Sequence, residues 1–139
     1  MGIVYTAEAL STGDGRNGRG RSSDGKLDVA LAMPPEMGGS GDGTNPEQLF
    51  AVGYAACFHS ALRMIGREAK ADMSDSAVGS RVSLVSDDPS FKLAVELEIT
   101  LPHVDGDTAR ELTEKAHQVC PYSKATRGNI DVKLTVTDD

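Results

Sequence analysis

Cys57 and Cys120 are the only cysteines of this chain. Two thiols can work as a redox pair. A thiolate attacks a peroxide O–O bond, becomes a sulfenic acid and condenses with the second thiol to a disulfide. An external dithiol then resets the pair by exchange. The N-terminus has no charged region followed by an apolar run, so a secretory signal is not expected. In the cytoplasmic setting this implies, a standing structural disulfide is disfavoured and a reversible or catalytic one is expected.

The two thiols differ. Cys57 lies in the apolar run Leu49–Phe58. Its bland reading is a buried small hydrophobe, inert because burial raises a thiol's pKa. The helix start is about 11 residues away, about 16 Å, too far for the macrodipole to act. A reactive Cys57 therefore needs a cation from elsewhere in the chain. The segment Gly15-Arg16-Asn17-Gly18-Arg19-Gly20-Arg21 offers three arginines, and a guanidinium stays charged even when partly buried. Its bland reading is a solvated basic loop, and it lacks the spacing of a phosphate-binding loop. Cys120 closes an amphipathic helix, where partial negative charge disfavours a thiolate. That suits a resolving thiol.

Metal binding competes. His117 and Cys120 are spaced i,i+3 on one helix face, and Cys57-x-His59 adds a second pair. Residues i and i+2 of a helix point about 200° apart, so Cys57 and His59 should not converge. No metal or bound cofactor is expected. His117 reads better as a satisfied or exposed helix histidine.

The elements that must position these groups follow from periodicity. Alternation marks strands at Leu27–Leu31, Phe91–Leu101 and Ile130–Val136, with weaker ones at Ile3–Leu10 and Val78–Val85. Ser11–Gly25 and Gly38–Gly43 read as loops, the first expected to become mobile once a disulfide forms. A helix starts with Asn45 as N-cap, Pro46 at N1 and Gln48 at N3. It is apolar on every face through Phe58, which predicts burial all round and, in so small a domain, a dimer. A second helix spans Thr108–Val119, with Asp107 as N-cap and Pro121 ending it at Cys120. These elements give one α+β domain over residues 1–139. The formal charge of −7 argues against nucleic acid or an anionic membrane as partner. No run approaches about 18 continuous apolar residues, so no membrane span is expected. Met1-Gly2-Ile3-Val4-Tyr5-Thr6 fits a loose myristoylation pattern but reads better as the start of a strand.

Four segments carry a resemblance. They are Tyr5-Thr6-Ala7 leading into Gly15-Arg16-Asn17-Gly18; Thr44-Asn45-Pro46-Glu47-Gln48-Leu49-Phe50; Gly53-Tyr54-Ala55-Ala56-Cys57-Phe58; and Ala116–Val132, which contains Cys120-Pro121-Tyr122-Ser123-Lys124-Ala125-Thr126-Arg127-Gly128-Asn129. Together they resemble the organic hydroperoxide resistance proteins of the OsmC-like superfamily, over nearly the whole chain. The resemblance implies antiparallel sheets around a buried central helix in an intertwined homodimer. It implies a cysteine peroxidase for alkyl and fatty acid hydroperoxides, recycled by a dihydrolipoyl group on a carrier protein. By position it makes Cys57 the peroxidatic cysteine, Cys120 the resolving one, Arg16 the activating cation and Glu47 the carboxylate that orients it. Two departures stand out: Gly13-Asp14-Gly15-Arg16 replaces Gly-Gly-Arg, leaving Arg19 and Arg21 as rivals of Arg16, and Lys124 stands where Asn is usual. Glu47 and Cys57 are also about 15 Å apart along a straight helix; a long Arg could link them, Gly53 could permit a bend, or the pairing could cross the dimer.

Overall fold

The computed structural model describes residues 2–137. Met1 of the myristoylation pattern and the last two residues of the expected 1–139 domain lie outside the described residues. The architecture is α+β, with two three-stranded sheets, and the chain divides into two compact units between Leu49 and Phe50.

In the first unit β1 (Ala9–Thr12), β2 (Arg19–Ser22) and β3 (Asp28–Ala30) form an antiparallel sheet in chain order. Ala9 faces Ser22, Thr12 faces Arg19, and Arg21 faces Asp28. This corrects two expectations. The strand at Ile3–Leu10 begins only at Ala9; Ile3, Val4 and Tyr5 are exposed, with no regular structure. The loop at Ser11–Gly25 contains the β1–β2 hairpin and a 3-10 turn at Gly15–Asn17. β2 escaped the apolar pattern because it reads Arg-Gly-Arg-Ser and has no fully buried position. Gly13 and Gly15, on either side of Asp14, take φ of 74° and 66°, a region open to glycine, in the turn that presents Arg16.

α1 (Pro46–Glu68) starts in the first unit and continues through the second. Asn45 caps it as expected, its side chain accepting the Gln48 N–H at 2.8 Å. Gln48 does not close the reciprocal capping box: its side-chain oxygen accepts from the Thr44 hydroxyl at 2.7 Å. The helix is not buried all round. Tyr54, Phe58 and Leu62 are fully enclosed, while Val52 is 70% exposed and Met64 43%. Length and mean hydropathy alone, 23 residues and 1.3, put α1 in the range of a membrane span. Its enclosed stripe has the surroundings of a core helix instead.

In the second unit β4 (Ala77–Asp87) and β5 (Ser90–Thr100) form a long antiparallel hairpin. α2 (Gly106–Val119) and α3 (Pro121–Thr126) then carry the chain across the sheet, so β6 (Val132–Thr137) joins β5 in parallel. β6 thus departs from the antiparallel pairing expected, as does the isolated parallel bridge between Leu31 and Thr44. The core unites Tyr54, Phe58 and Leu62 with Val95, Leu97, Ile99 and Leu101 of β5 and its end and with Ala109, Leu112 and Ala116 of α2. Each enclosed Leu, Ile or Phe contributes about 1.5–3 kcal/mol. The β5 alternation begins at Phe91, but burial along it does not; Phe91 is 60% exposed near the hairpin end. Asp105, not Asp107, caps α2, its carboxylate accepting the Thr108 N–H at 2.9 Å. An acceptor two residues earlier extends the helix to Gly106.

Candidate active site

Cys57 sits on α1, partly buried, and Cys120 is fully buried between α2 and α3. Their sulfurs lie 3.6 Å apart, the Cys120 thiol donating toward Cys57, and no disulfide joins them. Pro121 creates this placement. It ends α2, whose last bond runs from the Cys120 N–H to Ala116 O at 2.9 Å, and serves as first residue of α3. Cys120 itself is extended (φ −63°, ψ 123°), so the chain turns a corner at the thiol. α3 was not expected from the sequence; its six residues are too few to show a helical period.

Burial pushes the Cys57 thiol above its ordinary pKa, and the neighbouring Cys120 acts in the same direction; the Tyr122 backbone N–H opposes them. The thiol pair alone therefore does not yield a ready thiolate. A mostly apolar cavity of about 700 Å³ opens beside Pro121, walled by Phe50, Leu93, Pro121, Tyr122, Ala125 and Ile130, with Asp87, Lys92, Thr126 and Asn129 completing its lining. Gly53 does not bend α1, which runs unbroken from Pro46 to Glu68. A Cβ at Gly53 would stand 2.8 Å from the Tyr122 hydroxyl, so this glycine admits the Tyr122 ring against the helix.

In the first unit Arg16 grips Glu47 with both ends of its fork: Nη1 to Oε1 at 2.7 Å and Nη2 to Oε2 at 3.1 Å. This bidentate geometry is the strong form of the ion pair. The Arg16 hydrogen bonds hold the Glu47 carboxyl below its usual pKa against burial, and Glu47 raises that of Arg16. Both groups stay charged. Arg16 borders an apolar cavity of about 470 Å³ that includes Leu27, Val29, Leu31 and Leu49. Arg19 and Arg21 turn instead to Asp28, at 2.8 and 3.7 Å, because β2 alternation points both to one face.

The histidines are engaged elsewhere. His59 Nε2 meets the Ser76 hydroxyl at 2.9 Å, His103 pairs with Asp75, and His117 Nδ1 meets the Ser123 hydroxyl at 2.8 Å. Among the described residues no three His, Cys, Asp or Glu side chains gather as a metal requires. Lys124, the departure from the pattern, is exposed to solvent. Sequence reasoning missed Tyr54 and Ser123, which meet in a buried hydrogen bond at 2.8 Å. Both stood in the quoted segments, but nothing local signals a partner 69 residues away.

Comparison with known proteins bears on this geometry. The family model described as OsmC-like protein matches residues 39–135. An organic hydroperoxide resistance protein of Xanthomonas axonopodis pv. citri is 50% identical over 136 residues, 96% of this chain and 95% of that protein. A solved organic hydroperoxide resistance protein from Elizabethkingia anophelis is 46% identical, covers 100% of both chains and superposes with a TM-score of 0.93. The solved OhrB of Bacillus subtilis is 45% identical over 97% of this chain and all of that one, with a TM-score of 0.88.

Proposed function

This chain belongs to the OsmC-like family, and we propose that it is a cysteine peroxidase that reduces organic hydroperoxides and so protects against them. The observation that carries the reading is the 3.6 Å approach of two unbridged thiols from positions 63 residues apart. Relatives named organic hydroperoxide resistance proteins support the substrate class. The mostly apolar cavity lined by Pro121 and Tyr122, which follow Cys120 in the chain, supports an alkyl or fatty acid peroxide over hydrogen peroxide, which has no apolar part to bury.

In this reading the Cys57 thiolate attacks the distal oxygen of ROOH. The O–O bond breaks, Cys57 becomes a sulfenic acid, and RO⁻ leaves and takes a proton to become the alcohol. Cys120 then attacks the Cys57 sulfur; the S–O bond breaks, an S–S bond forms and water departs. A dithiol reduces this disulfide by exchange and is itself oxidised to a cyclic disulfide. Arg16 is the cation that brings the Cys57 thiol down into the thiolate range, and Glu47 orients its fork. Their roles rest on position in the resemblance and on the bidentate bond between them.

The reductant in this reading is a dihydrolipoyl group on a carrier protein in the cytoplasm. The apolar residues Val52 and Met64 left exposed on α1 support a homodimer as the working form. The deciding experiment follows cumene hydroperoxide consumption with dihydrolipoamide set against glutathione. Turnover with dihydrolipoamide, and little with glutathione, is expected. No turnover with any dithiol overturns the reading.

A further inference from the structure

The thiols meet at one level of the second unit, and one helical turn away on each element lies a second, wholly polar contact. Tyr54 stands three residues before Cys57 on α1. His117 stands three before Cys120, and Ser123 three after it. Tyr54 and Ser123 are fully enclosed and His117 is 8% exposed. The Tyr54 hydroxyl lies 2.8 Å from Ser123 Oγ and 3.0 Å from Thr126 Oγ1. Ser123 Oγ also lies 2.8 Å from His117 Nδ1, and the Thr126 hydroxyl donates to Ser123 O at 3.3 Å.

One donor order makes all four bonds. His117 Nδ1–H donates to Ser123 Oγ, Ser123 to Tyr54, Tyr54 to Thr126, and Thr126 to the Ser123 carbonyl. Each hydroxyl then gives one proton and accepts one bond, as its inventory allows. Ser123 is the only member bonded to both α1 and α2 through its side chain. Arg127 secures the same corner from outside, Nη1 donating to His117 O at 2.8 Å. The corner needs such help: the bond between thiols is weak, and the backbone bonds of Cys120, its N–H to Ala116 O at 2.9 Å and its carbonyl from the Lys124 N–H at 3.0 Å, lie within the α2–α3 corner and do not tie it to α1. Apolar packing resists separation but permits sliding, whereas buried hydrogen bonds are directional and costly to leave unmade.

We propose that Ser123 is a positioning residue for the thiol pair, locking the α2–α3 corner to α1 through Tyr54 and His117 so that Cys120 stays within attack range of Cys57. Its effect falls on the second chemical step. Cys57 needs only peroxide and its cation to form the sulfenic acid, but condensation needs Cys120 in line and in contact. The inference rests on the thiol reading above.

The test treats the reduced full-length protein with one equivalent of cumene hydroperoxide and no reductant. Thiol loss, disulfide and dimedone-trapped sulfenic acid are followed by mass spectrometry. In Ser123→Ala, Cys57 oxidation is expected within about 3-fold of wild type while disulfide formation slows about 10-fold or more. The dimedone adduct rises toward the level of Cys120→Ser, which cannot resolve. Tyr54→Phe keeps the ring and should shift the partition the same way, by less; it decides the matter if Ser123→Ala fails to fold. A purely structural hydroxyl lowers the melting temperature and leaves the partition unchanged, and that result in both variants overturns the inference alone. Absence of disulfide in the wild type sinks the thiol reading itself, and this inference with it.

Discussion

Cys57 and Cys120 are held by a core, whereas Arg16 is held by one carboxylate. Around the thiols, Tyr54, Phe58, Leu97 and Ser123 are fully enclosed, and three helices supply the walls. Around Arg16, none of the strands β1, β2 or β3 has a fully buried position, and the guanidinium side chain remains 37% exposed. Packing distributes a position over many contacts, so few single changes release it. An ion pair concentrates position in one partner and remains open to solvent and salt. The proposed peroxidase reaction would use both properties: the sulfurs must meet accurately, while Arg16 acts through its charge.

Measurements at Cys57, at Arg16 with Arg19 and Arg21 as controls, at Glu47 and at His117 sharpen this contrast, the largest expected loss first and the smallest last. Cys57→Ser should lower peroxide turnover by about 10³-fold or more, since the proposed sulfenic acid forms on Cys57 and Cys120 is fully buried. Substantial residual activity would remove the thiols from the mechanism. Arg16→Ala should cost about 10²-fold in kcat/KM through loss of charge stabilisation. It should also move the pH midpoint of Cys57 alkylation upward, because losing a cation disfavours the thiolate. Arg19→Ala and Arg21→Ala, whose side chains face Asp28, should each stay within about 3-fold of wild type. If either falls as far as Arg16→Ala, the assignment of the cation is wrong.

Glu47→Gln keeps the shape of the anchor and removes its charge, for an expected loss of about 10-fold. The same anchor sets a pH limit. Arg16 holds the folded Glu47 pKa below its unfolded value, near 4.3, so its contribution is complete above that pH and is lost as pH falls through the lower folded value. Activity lost well above pH 5 would have another cause. The smallest effect belongs to the core. Burial lowers the folded pKa of His117, with Glu114 opposing and Arg127 assisting. Below the ordinary imidazole value of about 6.5 the unfolded chain binds the proton first, so stability should decline on acidification through that value. Denaturant melts at pH 7.5 and 5.5, compared for wild type and His117→Asn, check this. An equal slope in both would clear His117.

Much of the fold was legible because it is written in neighbouring residues. Asn45 and Pro46 announce the start of α1, and Pro121 the end of α2. The alternations at Val78–Val85, Phe91–Leu101 and Ile130–Val136 announce β4, β5 and β6. These signals are local: a cap satisfies an N–H two or three residues on, and a strand period repeats every second side chain. β2 was not legible, because it packs no apolar face and its arginines resemble a solvated loop. α3 was hidden by its length, and Asp105 by a nearer rival carboxylate at Asp107.

By itself the sequence determined which groups could do chemistry and that they are unequal. Cys57 in an apolar run needs a cation, and Cys120 before a proline waits at a helix end. Tertiary structure alone brings into contact both the pairs that the resemblance implied and the pair that no signal gave. The thiols meet across 63 residues, Arg16 chooses Glu47 across 31, and Tyr54 finds Thr126 across 72. Such pairings are not encoded in any window of the chain. They form only when sheet and helices close the core, because a hydrogen bond or thiol contact acts over a few ångströms and sequence separation says nothing about that distance.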